Sequence, residues 1–227
     1  KGWQSFATAA RDYRVWMLFI TYAACFGVEL TIHNLAAVYF VDRFSLSLTT
    51  AGAYVGAFGL LALFARALGG IASDRLARSR GLEARVTLLF ALILAEGFGL
   101  IAFSQMPTAG IALASLLLFG LFTHMACGAT YSLVPFINRK ALGGVAGIIG
   151  AGGNVGAVAA GFLVKATSTT QYALFLLGAI VAAAALCALA VRFTSEQKAE
   201  ERRLYEDALN ARARTDAPPS GADVVTP

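Results

Sequence analysis

Six long apolar runs, separated by short polar breaks, dominate the chain and predict six helices. They cover roughly Val15 to Phe40, Leu48 to Ile71, Val86 to Phe103, Thr108 to Val134, Leu142 to Val164 and Tyr172 to Val191. Each is about as long as the 20 residues a helix needs to cross the hydrocarbon of a bilayer. An amphipathic period of the kind that covers a soluble core is missing from them, so the pattern predicts membrane spans. The breaks are Asp42 to Ser45, a charged loop from Ser73 to Arg85, an uncharged turn at Ser104 to Pro107, and Asn138 to Lys140 after an exit begun by Pro135. Past Arg192 the pattern changes to a charged helix through about Ala213, capped by Thr194 or Ser195, and a disordered end from Pro218 to Pro227.

The fifth run is the one around which the others are expected to be arranged. Gly143, Gly144, Gly147, Gly150, Gly152, Gly153, Gly156 and Gly161 interrupt it. Each glycine weakens a water-exposed helix by roughly 1 kcal/mol. In lipid the backbone must satisfy its own hydrogen bonds, so helix is enforced and small residues let another helix or a ligand approach closely. Asn154 is the one strongly polar side chain on that surface.

Composition agrees: 58% of the 227 residues are hydrophobic, 14% are charged, and mean hydropathy is +0.70. The net charge of +5 does not point to nucleic acid, because the basic residues lie in the breaks. Fifteen of the eighteen Lys and Arg fall in the lead-in, the 73–85 loop, the 138–140 loop and the tail. Arg43 and Lys165 lie on the opposite side and Arg66 within a span. The positive-inside rule then places both termini in the cytoplasm of a multi-pass protein of the inner, or plasma, membrane. Residues 1–14 form a cytoplasmic lead-in whose Trp3 and Phe6 can lie at the interface, 15–193 the membrane domain, and 194–227 a cytoplasmic tail. Cys25, Cys127 and Cys187 are odd in number and embedded in apolar runs, so neither a disulfide framework nor a metal site is expected. No cofactor is implied. No nucleophile–base pair or P-loop suggests an enzyme.

Ionisable side chains within spans are costly and therefore informative. Tyr22, Phe26, Glu29 and His33 follow at intervals of four, three and four, along one helical face. Glu29 and His33 either bond neighbouring helices or serve proton coupling. Arg66 cannot lose its proton and needs an anion, water or a route to the interface. About five residues above the loop, roughly 7 Å at helical rise, it can snorkel. Its planar fork can equally receive a small oxyanion by paired hydrogen bonds. Glu96 is a candidate internal counter-ion for it, and Glu96 and His124 otherwise read as structural. Between spans two and three, Gly70, Asp74, Arg75 and Arg78 suit a tight turn in which Asp74 caps a helix end or pairs with a basic group of a closed gate.

Those last residues resemble the G-x-x-x-D-R-x-G-R loop of the major facilitator superfamily, with Ala77 standing where glycine is usual. Gly150-Ala151-Gly152-Gly153-Asn154-Val155-Gly156 resembles the nitrate signature of the nitrate/nitrite porter family. Phe26-Gly27-Val28-Glu29-Leu30-Thr31 with Asn34, and Phe64-Ala65-Arg66 with Gly69-Gly70, are similar to two helices in the C-terminal half of assimilatory nitrate transporters. The resemblance covers nearly all of 13–193. It implies an all-α membrane protein, six helices forming one half of a major facilitator fold, equivalent to helices seven to twelve of twelve. It implies Arg66 as a nitrate-binding arginine, Tyr22 and Phe26 as aromatic walls, and Gly152, Gly153, Asn154 and Gly156 as the surface of close approach. A second arginine would come from an N-terminal six-helix half, in the same parent chain or a separate one. The implied partners are nitrate or nitrite, membrane lipid and that missing half. Coupling is open between proton symport, through Glu29 or His33, and nitrate/nitrite exchange. Rival readings are a major facilitator for another small or organic anion, and a membrane sensor or assembly subunit that moves nothing and uses Glu196 to Arg214 as a partner surface.

Overall fold

The computed structural model describes residues 2–216, with side chains through Asp207 except Leu204. Among the described residues every regular element is helical. A short helix α1 (Gly2–Ala10) precedes α2 (Tyr13–Phe44), α3 (Leu48–Arg80), α4 (Leu82–Ser104), α5 (Ala109–Ile137), a 3-10 turn at Arg139–Ala141, α6 (Leu142–Ala166) and α7 (Thr170–Leu189). The six helices α2 to α7 are long and apolar enough to span a membrane. The expected disorder from Pro218 to Pro227 lies outside the described residues.

Two compact units divide the chain at residue 192. The second contains α8 (Ser195–Asp216), whose start is fixed by a reciprocal cap. Gln197 N donates to Thr194 Oγ1 at 3.3 Å, and Thr194 N donates to Gln197 Oε1 at 3.2 Å. Two of the backbone donors that a helix start leaves unpaired are satisfied this way.

In the first unit α2 packs along α6, α3 along α5, and α4 along α7. Small residues set each crossing. A Cβ on Gly27 would lie 2.8 Å from the Gly156 backbone, and one on Gly156 would collide with the Ala23 carbonyl, so α2 and α6 touch backbone to backbone. Gly97 and Gly178 do the same between α4 and α7. Dispersion and close backbone packing hold such pairs in lipid, where apolar burial offers little advantage over acyl chains. The helix buried most completely is α2, not the glycine-rich α6, which is among the most open with α3. Gly143, Gly147 and Gly161 of α6 face open space.

The charged stretch from Ser73 to Arg85 is not a loop. The α3 helix runs on to Arg80, and Gly81, at φ 73°, alone turns the chain into α4. Alanine, leucine and arginine are good helix formers, so their charge marks an extension into polar surroundings rather than a break. Glycine reaches that left-handed backbone without steric cost. Pro135 likewise sits inside α5, two residues before its end.

Asp12 fastens the start of α2. Its carboxylate accepts from Arg14 N at 3.0 Å and from Arg14 Nη2 at 2.6 Å, and Arg14 Nη2 also donates to the Ile137 carbonyl at 3.2 Å. Burial raises the Asp12 carboxyl, but the hydrogen bonds and charge of Arg14 outweigh it and hold the group below its ordinary range. A lowered folded value stabilises the protein above the unfolded value, about 3.9, and that contribution is lost as pH falls through the folded value. Asp12→Ala is expected to cost about 1 kcal/mol at neutral pH. In thermal melts the gap from wild type should shrink below about pH 4; a gap independent of pH would refute the assignment.

Candidate functional site

The polar cluster of the bundle forms where α2, α3 and α5 meet, and four-three spacing builds it on two of them. On α2, Tyr22, Phe26 and Glu29 lie along one face. Tyr22 stacks on Phe26 with centroids 5.2 Å apart and planes 10° apart, and Tyr131 of α5 meets Tyr22 edge-on at 5.1 Å. On α5, His124, Gly128 and Tyr131 repeat the spacing.

Arg66 of α3 turns inward to this cluster. Its guanidinium carbon sits 5.4 Å from the Phe26 ring centroid, and Nη2 lies 2.7 Å from both Glu29 oxygens. The counter-ion is therefore Glu29, and not Glu96, which the sequence offered as one candidate. Glu96 of α4 is fully buried, with neither carboxyl oxygen hydrogen-bonded among the described residues. The pair is lopsided: the Glu29 side chain is 7% exposed and that of Arg66 40%. Arg66 Nε is buried and has no acceptor among the described residues. A buried donor without a partner costs about 1–3 kcal/mol, so the arginine is under-satisfied as it stands.

Glu29 has further neighbours. His124 is completely buried; its Nδ1 lies 3.2 Å from Glu29 Oε2, within ion-pair distance but without an aligned hydrogen bond, and its Nε2 lies 3.1 Å from the Phe58 carbonyl. Cys127 Sγ is 3.7 Å from the same Glu29 oxygen. Cys25, Cys127 and Cys187 are all free thiols. Among the described residues no group of His, Cys, Asp and Glu is placed to hold a metal.

The remaining sequence candidates divide. Gly153 packs on Phe26 and Gly152 on Phe19, while Gly156 meets Ala23. These three glycines therefore seat α6 against α2 and the ring that Arg66 covers. Asn154 is exposed on α6 and makes no hydrogen bond or ion pair among the described residues. His33 leaves the cluster: exposed, it bonds through Nδ1 to the Glu29 backbone carbonyl at 2.9 Å and meets Phe58 edge-on. Gly70, Asp74, Arg75 and Arg78 lie along the end of α3, not in a tight turn. Asp74 pairs with Arg85 at 2.5 Å across the Gly81 corner, Arg85 covers the Phe136 ring at 4.9 Å, and Ser73 bonds Ser132 at 2.6 Å. This ties α3, α4 and α5 at one end of the bundle. Because Asp74 is largely exposed, the ion pair itself is worth under about 1 kcal/mol.

Two members, His124 and Tyr131, are absent from the binding and coupling residues read from the sequence. The spacing of the α2 stripe, applied to His124, Gly128 and Tyr131, would have found them.

Six apolar helices around an internal arginine, carboxylate and histidine define an all-α membrane protein, one half of a major facilitator fold. No family model matches the chain. It is 40% identical over 178 residues to the High affinity nitrate transporter 2.5 of Arabidopsis thaliana, a match covering 78% of this chain and 36% of that protein. With Nitrate transporter 2.2 of Chlamydomonas reinhardtii it shares 38% identity over 156 residues, 68% of this chain and 30% of the relative. With the Nitrate/nitrite transporter NrtP of Picosynechococcus it shares 34% over 149 residues, 64% and 27% respectively. The chain belongs to the nitrate/nitrite porter family of the major facilitator superfamily. It spans about a third of the length of the curated relatives it matches. These relatives are named as transporters, and the chain is not an enzyme.

Proposed function

We propose that the chain supplies the C-terminal half of a nitrate or nitrite transport site, with Arg66 as the anion anchor. The observation that carries this is the arginine itself: inside an apolar bundle, over an aromatic face, with its Nε left without an acceptor among the described residues. Nitrate is flat, singly charged and weakly hydrated, and it suits a guanidinium that pairs in plane while an aromatic ring stacks beside it. Tyr22 and Phe26 form that wall, and Gly152, Gly153 and Gly156 hold α6 close enough to support it. The names of the relatives support nitrate as cargo.

Half a site does not move an ion. A second six-helix unit contributes the rest, and transport proceeds by rocking of the two halves about the anion, the alternating access of such folds. In this reading residues 1–14 are the lead-in from that unit and 194–227 a tail. The loop charges orient both termini to the cytoplasm of the inner, or plasma, membrane.

The test is an anion competition on the purified chain in detergent, with nitrate, nitrite, chloride and a small carboxylate such as formate. Nitrate and nitrite are expected to bind in preference to the others. Equal binding of formate would replace nitrate by a broader anion class, and binding unaffected by R66Q would remove the anchor.

A further inference from the structure

Glu29 and His124 face each other in a way that fixes a proton between them. The Phe58 carbonyl can only accept, so the His124 Nε2 that faces it at 3.1 Å carries hydrogen. A neutral imidazole would then turn the lone pair of Nδ1 toward the Glu29 carboxylate 3.2 Å away, inside a fully buried pocket. Two acceptors in contact without a proton are mutually repelling and desolvated. One proton at the Nδ1–Oε2 contact removes the conflict, whether it rests on the ring or on the carboxyl. We infer that Glu29 and His124 share a single exchangeable proton, and that this proton governs whether Arg66 is held by Glu29 or is free to take an anion. The inference rests on Arg66 being the anion anchor.

Charge counting gives the coupling. Without the shared proton, Arg66 and Glu29 cancel and the cluster is neutral, so an incoming anion adds a net negative charge to an apolar bundle. With it, Arg66, Glu29 and His124 together carry one positive charge, and a monovalent anion restores neutrality. Loading the anion therefore draws in a proton from solvent, and by reciprocity the proton raises anion affinity. His33, on the same helix, meets Glu29 at its backbone carbonyl and does not take this part.

The other titratable groups facing Glu29 are few. Arg66 comes from α3, and His124 and Cys127 from α5. From α4 comes Glu96, fully buried and within electrostatic reach of Glu29. α6 meets α2 at Gly152, Gly153 and Gly156, which carry no titrating group. Glu96 is the competing proton site, and the experiment must separate the two.

The purified chain in detergent, weakly buffered with a pH-indicator dye, is mixed with potassium nitrate, and potassium chloride serves as the reference. Mixed at a pH high enough for the anion-free cluster to have released the shared proton, wild type should take up about one proton per chain on binding nitrate. E29Q, an isostere of the protonated carboxyl, should take up none and bind nitrate roughly tenfold tighter at neutral pH. H124Q should lose the uptake. Equal uptake in wild type and E29Q, or uptake that disappears in E96Q and persists in E29Q, overturns the assignment.

A second readout needs no anion and holds even if nitrate binding, and with it the proposed function, fails. The chain has two histidines, so H33Q leaves His124 as the sole nitrogen-15 imidazole signal. As pH is lowered, a proton is expected on both ring nitrogens, or on Nε2 together with a protonated-carboxyl infrared band that E29Q abolishes. A bare Nδ1 beside an ionised Glu29 at every pH at which the chain stays folded overturns the inference.

Discussion

R66Q is expected to abolish nitrate binding by the chain, and R66K to weaken it at least about tenfold, a difference of about 1.4 kcal/mol. Glutamine removes the charge, the fork and the cation that covers Phe26 at once. Lysine keeps the charge but offers a compact ammonium without the planar edge that meets a flat anion by paired hydrogen bonds. A change in stability must be separated from a change in binding. R66Q leaves Glu29, almost fully buried, without its partner. Losing one member of a buried pair costs about 3–5 kcal/mol. Here the arginine side chain is 40% exposed, so solvent screening puts the penalty well below that range. The double variant R66Q/E29Q removes the stranded charge. It should recover much of the thermal stability lost in R66Q and recover no nitrate binding. If the double variant bound nitrate as wild type does, Arg66 would be structural only.

The span layout was legible because length and hydropathy are properties of single segments. Each of the six helices lies within a few residues of its apolar run, except where charge misled. From Ser73 to Arg80 the sequence is polar and helix-forming at once. Hydropathy reads only the first property, and nothing local distinguishes a loop from a helix that outruns the membrane. Choosing between Glu29 and Glu96 as the counter-ion of Arg66 was beyond the sequence for a different reason. That choice depends on depth and on which helices adjoin, which the tilt and crossing of α2, α3 and α4 decide. The four-three stripe on α2 was read correctly as a face, but a face meets different neighbours along its length. By His33 the partners have become Phe58 and Gly59, and the cluster is left behind. For α6 the glycines announced close approach without naming what approaches. It is α2, and through it the aromatic ring beneath Arg66.

Gly128→Ala should be among the most damaging single-methyl changes in the chain. Its added Cβ would collide with the Arg66 carbonyl oxygen and lie 2.9 Å from that residue's carbonyl carbon. On the facing helix, a Cβ on Gly69 would collide with the Met125 carbonyl, so α3 and α5 are locked from both sides. Neither obstacle is a flexible side chain that can step aside. Whole helices must separate, and the loss of stability is expected to reach about 3 kcal/mol, the upper end of overpacking costs. Gly147→Ala supplies the control: nothing lies within 4 Å of its added methyl. Alanine there should be neutral or stabilising by up to about 1 kcal/mol, since it favours helix over glycine. A third variant separates packing from function. Gly97→Ala drives a methyl into the Ala182 backbone at the α4–α7 crossing, away from Arg66. Both Gly97→Ala and Gly128→Ala should lower the melting temperature in detergent. Only Gly128→Ala should also weaken nitrate binding in the fraction that remains folded, because the atom it displaces belongs to the residue that holds the anion. Equal loss of affinity in both would mean that the arginine answers to the whole bundle rather than to the α3–α5 seam.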